Sequence, residues 1–249
     1  MPRTAKIYIS LIVSSGAAVL LIAAGSWTSA SLPQFLMLLG FAGVSSTLKI
    51  RIPGLESTMS PNFIFLVLAM LCCSFSEVTA IALVAALVQS LWAAKQPRLL
   101  QVAFSAAALV LSATVAFESA RLLLGSGSSI SPLVFAILAG SLYLPLNTAL
   151  ISAVIGLVEG RPSMQVARIC YECVFPYFMG GLLFAGMVSG AFSRSTIWQG
   201  GVVLFPVAVL GYLYFMSRTP TLTPARFQSA NLRAEDKELV GVGSGRHSR

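Results

Sequence analysis

Apolar residues run along this chain in long blocks, separated by short clusters of charge, proline, glycine and serine. A helix crossing a bilayer core needs about 20 apolar residues. On that rule the pattern predicts eight helices, over 7–25, 33–48, 62–76, 77–94, 99–124, 132–158, 164–192 and 198–216. The second is short and rich in small residues (Gly40, Gly43, Ser45, Ser46), which suits contact with protein better than contact with lipid. Almost no loop separates the third from the fourth, so the two are expected to form a tight helical hairpin. The sixth and seventh exceed a bilayer's need and are expected to tilt, kink or project. Pro145 and Pro176 mark the expected kinks, because proline removes one backbone hydrogen bond within a helix. In a membrane, neighbouring helices can satisfy the groups so freed.

After Met216 the character of the chain changes. Residues 217–249 have no apolar periodicity and are rich in Ser, Thr, Pro and charge, a composition that favours disorder. The expected organisation is therefore a transmembrane helical domain over 1–216 and a cytoplasmic tail over 217–249, too short for a folded output domain. The sequence contains no internal repeat and no inverted-repeat symmetry of the transporter kind.

Charge tests the count of eight. With the amino terminus cytoplasmic and eight crossings, fourteen of the 16 basic residues fall on the cytoplasmic side, leaving Arg121 and Arg194 outside. That asymmetry is what the positive-inside rule requires, and dropping one crossing would put later basic clusters on the wrong face. Composition agrees: 10% of residues are charged, against about 25% in a soluble domain, and the mean hydropathy is +0.87. The net charge of +8 thus reflects orientation in a lipid bilayer, and no nucleic-acid partner is implied. The first run follows Arg3 and Lys6 in the manner of a signal peptide, but seven further runs make a retained first crossing the simpler reading. The expected class is all-α: a polytopic membrane helix bundle of about eight transmembrane helices with both termini cytoplasmic.

The run from Ser163 to Phe192 carries charge inside a membrane-length segment. Arg168 and Glu172 are four residues apart, on one helical face. An ionisable group inside a bilayer is costly unless paired or hydrated. Two readings follow: a structural pair in which Arg168 snorkels to the interface and Glu172 leans back to meet it, or a site that senses a ligand or signal. Other polar groups are sparse. Asn62 opens the third run, Gln89 lies in the fourth, Gln101 near the start of the fifth and Asn147 in the sixth, while Glu118 has Arg121 one turn on. Each can act as interhelical glue worth on the order of 1 kcal/mol. Asn147 and Glu172 sit at intermediate depth, where an unpaired polar group costs most. Tyr143, Tyr171 and Tyr177 add amphipathic surface nearby, of the kind that walls small-ligand sites and also anchors helices at interfaces. The candidate ligand-binding residues are therefore Glu172, Arg168, Asn147, Tyr143, Tyr171, Tyr177, Gln89 and Asn62. Two GxxxG steps, Gly156 with Gly160 and Gly186 with Gly190, point to close helix packing.

Several chemistries are excluded. The single histidine, His247, lies in the tail, so no histidine-dependent nucleophile, metal ligand or proton relay belongs to the membrane body. The single aspartate is Asp236, and an intramembrane aspartyl protease needs two. The stretch Gly125-Ser126-Gly127-Ser128-Ser129 lacks the Lys-Ser or Lys-Thr of a phosphate loop. Cys72, Cys73, Cys170 and Cys173 all lie within apolar runs, where they act as small apolar residues and not as a disulfide framework or zinc site. No catalytic residue, metal or cofactor is expected, and the chain is not expected to be an enzyme.

The linker KIRIPGLESTMSP, residues 49–61, has a Pro-Gly turn followed by Glu56, Ser57, Thr58 and Ser60. It reads as a cytoplasmic loop, with a re-entrant element the alternative if protein surrounds it. From here the stretch RIPGLESTMSPNFIFLVLAMLCCSFSEVTAIALVAALVQSLW, residues 51–92, resembles the core helical pair of bacterial integral-membrane sensory domains that precede GGDEF or HD-GYP domains. VFPYFMGGLLFAGMVSG, residues 174–190, is similar to a Phe-Pro-Tyr stretch in the last helices of that group. In outline the chain is also similar to the substrate-binding S components of energy-coupling-factor transporters. The resemblance implies a bacterial inner membrane, a multi-pass sensory or small-molecule-binding module, and a small-molecule or membrane-state input. Because no cyclase, phosphodiesterase or kinase domain follows, it implies output through a separate signalling protein, or a transport protein on the S-component alternative.

Overall fold

Seven of the eight apolar runs emerge as helices: α1 (Arg3–Gly25), α2 (Leu32–Thr47), α3 (Phe63–Cys72), α4 (Phe75–Leu91), α5 (Leu99–Leu124), α6 (Pro132–Glu159) and α7 (Ser163–Phe192). The structure, a computed structural model, describes residues 2–29, 31–48, 50–51, 58–59, 62–92, 98–125, 131–160 and 162–192. The eighth expected run, 198–216, and the tail, 217–249, lie outside the described residues. Between α2 and α3 two short strands, β1 (Ile50–Arg51) and β2 (Thr58–Met59), pair antiparallel, with Ile50 opposite Met59 and Arg51 opposite Thr58.

Among the described residues, three helices are long and apolar enough to cross a membrane: α1, α5 and α6. Their 23, 26 and 28 residues give lengths of about 35, 39 and 42 Å, against a hydrocarbon core of about 30 Å. The apolar helices α2, α3 and α4 are shorter. The shortest, α3, is the centre of the bundle and packs against α2, α4, α6 and α7 and touches α5. Its sequence, FIFLVLAMLC, is apolar on every side, as a helix enclosed all round must be. Phe65, Leu66, Val67 and Ala69 are accordingly buried. On the rim, α1 packs mainly on α5, where Gly16 lies directly against Ala107, and turns Ile7, Leu11, Leu21 and Ile22 outward.

The hairpin of α3 and α4 forms as expected, but the chain turns earlier than the boundary between Ser76 and Glu77. The break is at Cys73 and Ser74. Ser74 is the N-cap of α4: the Glu77 N–H donates to Ser74 Oγ at 3.3 Å while the Ser74 N–H donates to Glu77 Oε2 at 2.8 Å. This reciprocal capping box satisfies two otherwise orphaned donors and fixes where α4 starts. At the open end of the hairpin, Asn62 and Gln89 share a hydrogen bond of 3.2 Å. Laid end to end in one helix they would stand about 40 Å apart, so this bond requires that α4 fold back along α3.

Helix α6 continues through Pro145, and α7 is helical across Pro176. Gly160 is not half of a packing step. It is the left-handed C-cap of α6, with φ of 69° and nothing within 4 Å of an added Cβ, the usual way a helix ends at glycine. The Gly186–Gly190 step has surroundings that lie outside the described residues.

Candidate functional site

Two glycines set the level at which α3, α6 and α7 meet. A Cβ at Gly140 of α6 would run into the side chains of Leu182 and Phe178, and one at Gly181 of α7 into Phe63 and Ile64. Phe178 stacks on Phe63 with ring centroids 4.8 Å apart. The first turn of α3, the stretch of α6 about Gly140 and the segment of α7 from Phe178 to Leu182 are therefore level.

Asn62, just ahead of Phe63, is 4% exposed and gathers three elements. Its Nδ2 donates to Ser46 Oγ of α2 at 3.1 Å and to Gln89 Oε1 of α4 at 3.2 Å. Ser46, fully buried, donates in turn to the Ala42 carbonyl at 2.7 Å. Short connections make successive helices antiparallel, so α6 runs opposite to α3 and its residues after Gly140 extend past the head of that helix. Tyr143 and Asn147 follow Gly140 by three and seven residues, on the same face of α6. Tyr143 is buried. Among the described residues, Asn147 Oδ1 is a buried side-chain atom that accepts no hydrogen bond. The polar groups so placed are uncharged: a hydroxyl and two amides joined at the head of α3, and, farther along one face of α6, a phenol and an amide carbonyl that accepts no hydrogen bond among the described residues.

The charged candidates stand elsewhere. Arg168 Nε donates to Glu172 Oε1 at 2.8 Å within α7, and the side chains are 80% and 62% exposed. Beside them the half-exposed Tyr171 stacks on Phe175 with centroids 5.1 Å apart. Of the eight candidates, the structure joins Asn62 to Gln89 and puts Tyr143 and Asn147 on one face of α6, while Arg168, Glu172 and Tyr171 occupy an outer face of α7. The side chain of Tyr177 lies outside the described residues. Glu118 and Arg121 form an outer pair at 3.7 Å, with the Arg121 guanidinium 5.3 Å from the Phe117 ring centre.

A buried acid was not among the candidates. Glu77 is 1% exposed. Besides the capping box, Ser29 Oγ donates to Glu77 Oε1 at 2.5 Å, from a connection 48 residues earlier in the chain. Two more bonds tie that connection to α4: Ser74 Oγ donates to the Thr28 carbonyl at 2.5 Å and Ser76 Oγ to the Ser26 carbonyl at 3.1 Å. The motif Ser-x-x-Glu before an apolar run signals the cap. Nothing local signals the approach of Ser29. Among the described residues no three His, Cys, Asp or Glu side chains converge as a metal site, and Cys72 and Cys73 are free thiols.

No family model, curated protein or solved structure matches this chain.

Proposed function

We propose that this chain is a multi-pass protein of a bacterial inner membrane, with eight crossings and both termini cytoplasmic, that binds a small uncharged molecule and acts as a sensory module. The observation that carries the reading is Asn147 Oδ1, buried in α6 with no donor among the described residues. A buried polar atom left unpaired costs about 1–3 kcal/mol, and an O–H or N–H group of a bound molecule would remove that cost. The uncharged polar groups of the bundle point to the class of molecule. Asn62, Gln89 and Ser46 offer amide and hydroxyl groups, Tyr143 a phenol, and the charged pair of α7 is on its outer face. A neutral compound with a few hydrogen-bonding groups and an apolar body fits that chemistry. The output would pass to a separate signalling protein.

One observation favours a second reading, a substrate-binding subunit of a transporter. Gly40 and Gly43 of α2 have open space where a Cβ would stand, a notch in which a helix of a transport partner could pack closely.

Mass spectrometry of small molecules retained by the protein purified into nanodiscs tests the binding reading. A specific neutral compound should accompany the wild type and the Arg168→Ala variant and be lost from Asn147→Leu. If all three carry only bulk lipid, Asn147 is a packing residue and the binding proposal fails. Uptake of the identified compound by vesicles holding the protein and its partner would favour the transport reading.

A further inference from the structure

Independently of any ligand between the helices, we propose that the connection from Ser26 to Ser29 is a strap closed over the Glu77 carboxylate, and that opening it delivers this acid to water at that end of the bundle. Ser26, Thr28 and Ser29 are exposed, whereas Ser76 and Glu77 beneath them are each 1% exposed. The strap is therefore the layer between the acid and solvent. It is fastened to α4 by three side-chain hydrogen bonds: Ser29 to Glu77, Ser74 to Thr28 and Ser76 to Ser26. Its one large side chain does not anchor it there. Trp27 is 49% exposed and packs edge-on against Phe35 of α2, with centroids 5.6 Å apart. A closure made of hydroxyl bonds, with no apolar plug of its own on α4, can open without unpacking the core.

The acid beneath is built to tolerate both states. Among the described residues Glu77 has no cationic partner; its oxygens take the Ser29 hydroxyl and the Ser74 N–H, and it sits in the first turn of α4, where the helix dipole favours negative charge. When the strap lifts, water replaces the Ser29 hydroxyl, and the Ser74 N–H and the dipole remain. Net hydrogen bonds are worth little because water competes for the same groups. Losing one of the three fasteners should therefore raise the open population about five- to tenfold.

Labelling with a water-soluble carbodiimide and an amine, read at each carboxyl group by peptide mass spectrometry on the full chain in nanodiscs, tests this. In the wild type Glu77 should label far more slowly than Glu159, which is exposed at the last residue of α6 and serves as the internal reference. Ser29→Ala should raise the Glu77 rate five- to tenfold with the Glu159 rate unchanged. Ser29→Thr, which keeps the hydroxyl, should restore protection, and Ser76→Ala, which removes a different fastener, should reproduce the rise. Equal protection of Glu77 in wild type, Ser29→Ala and Ser76→Ala would overturn the strap. So would wild-type labelling of Glu77 as fast as that of Glu159.

Discussion

The crossing of α1 and α5 offers the most direct test of the bundle, through the change Gly16→Ala. A Cβ built at Gly16 would stand 2.6 Å from Ala107 Cβ and 2.8 Å from Ala107 Cα. Non-bonded carbons settle at about 3.5–4.0 Å, so the two helices must part by about 1 Å. No rotamer change relieves this, because Ala107 has none and its Cα belongs to the backbone of α5. Parting the helices also loosens the cluster of Ile9, Ile12, Phe104 and Ala108 on either side of the crossing. Overpacking of this kind costs about 1–3 kcal/mol, offset by the gain of up to about 1 kcal/mol that alanine brings to a helix over glycine. Gly43→Ala isolates the steric part, because an added Cβ there meets nothing within 4 Å and should leave stability unchanged or slightly raised. Equilibrium unfolding in mixed micelles should place Gly16→Ala about 2 kcal/mol below Gly43→Ala, a shift of roughly 30-fold in the folded ratio. Adding Ala107→Gly should recover only part of the loss, since the backbone of α5 at that position still stands in the way. Equal unfolding midpoints for Gly16→Ala and Gly43→Ala would refute the close crossing.

Asn62→Leu removes both hydrogen bonds that join α2, α3 and α4 and should cost about 1–2 kcal/mol, measured as a lowered unfolding midpoint in the same micelles. Phe178→Ala removes the ring stacked on Phe63 and leaves a cavity beside Gly140, so it should cost about 3 kcal/mol or more. Arg168→Ala and Glu172→Gln break an exposed pair within one helix and should leave the melting temperature where it is. A lowered melting temperature for either would show that the outer face of α7 is covered.

The helices were legible because apolar runs of membrane length leave few alternatives, and seven of the runs appear with ends within a few residues of those expected. What surrounds each helix was harder to read, for a physical reason: lipid tails and a protein interior ask for the same apolar side chains. FIFLVLAMLC of α3 therefore reads as one more membrane span, although it is ten residues long and enclosed by five helices. Side-chain size carries the missing information in α5. There Ala106, Ala107, Ala108, Ser112, Ala113, Ala116 and Ala120 face inward beside Phe104, Leu109, Val110 and Phe117, while Val115, Leu122 and Leu123 face outward. Small residues let backbones approach, so a run this rich in alanine marks a helix packed on protein. The turn at Ser74 was legible in principle from the capping box, whereas the bond between Ser29 and Glu77 depends on where α1 delivers the chain, which no local pattern encodes.

Position along a run is depth, and depth alone ranks Asn147 and Glu172 together. The direction a residue faces around its helix separates them. Asn147 shares the face of α6 that carries Gly140 and Tyr143, and Gly140 has no room for a Cβ because α7 presses against it. That face is interior, and a polar atom on it must find a partner inside the bundle. Arg168 and Glu172 each follow a buried residue, Val166 and Cys170, by two positions, which is about 200° around the helix. They are thus directed away from the side of α7 that packs inward, and each supplies the other's partner at 2.8 Å. A polar group that is paired on an outer face asks nothing further of the structure, whereas Asn147 Oδ1, buried and without a partner among the described residues, does. The amide of α6, and not the ion pair of α7, is therefore the place where a bound molecule would change the energy of the bundle most.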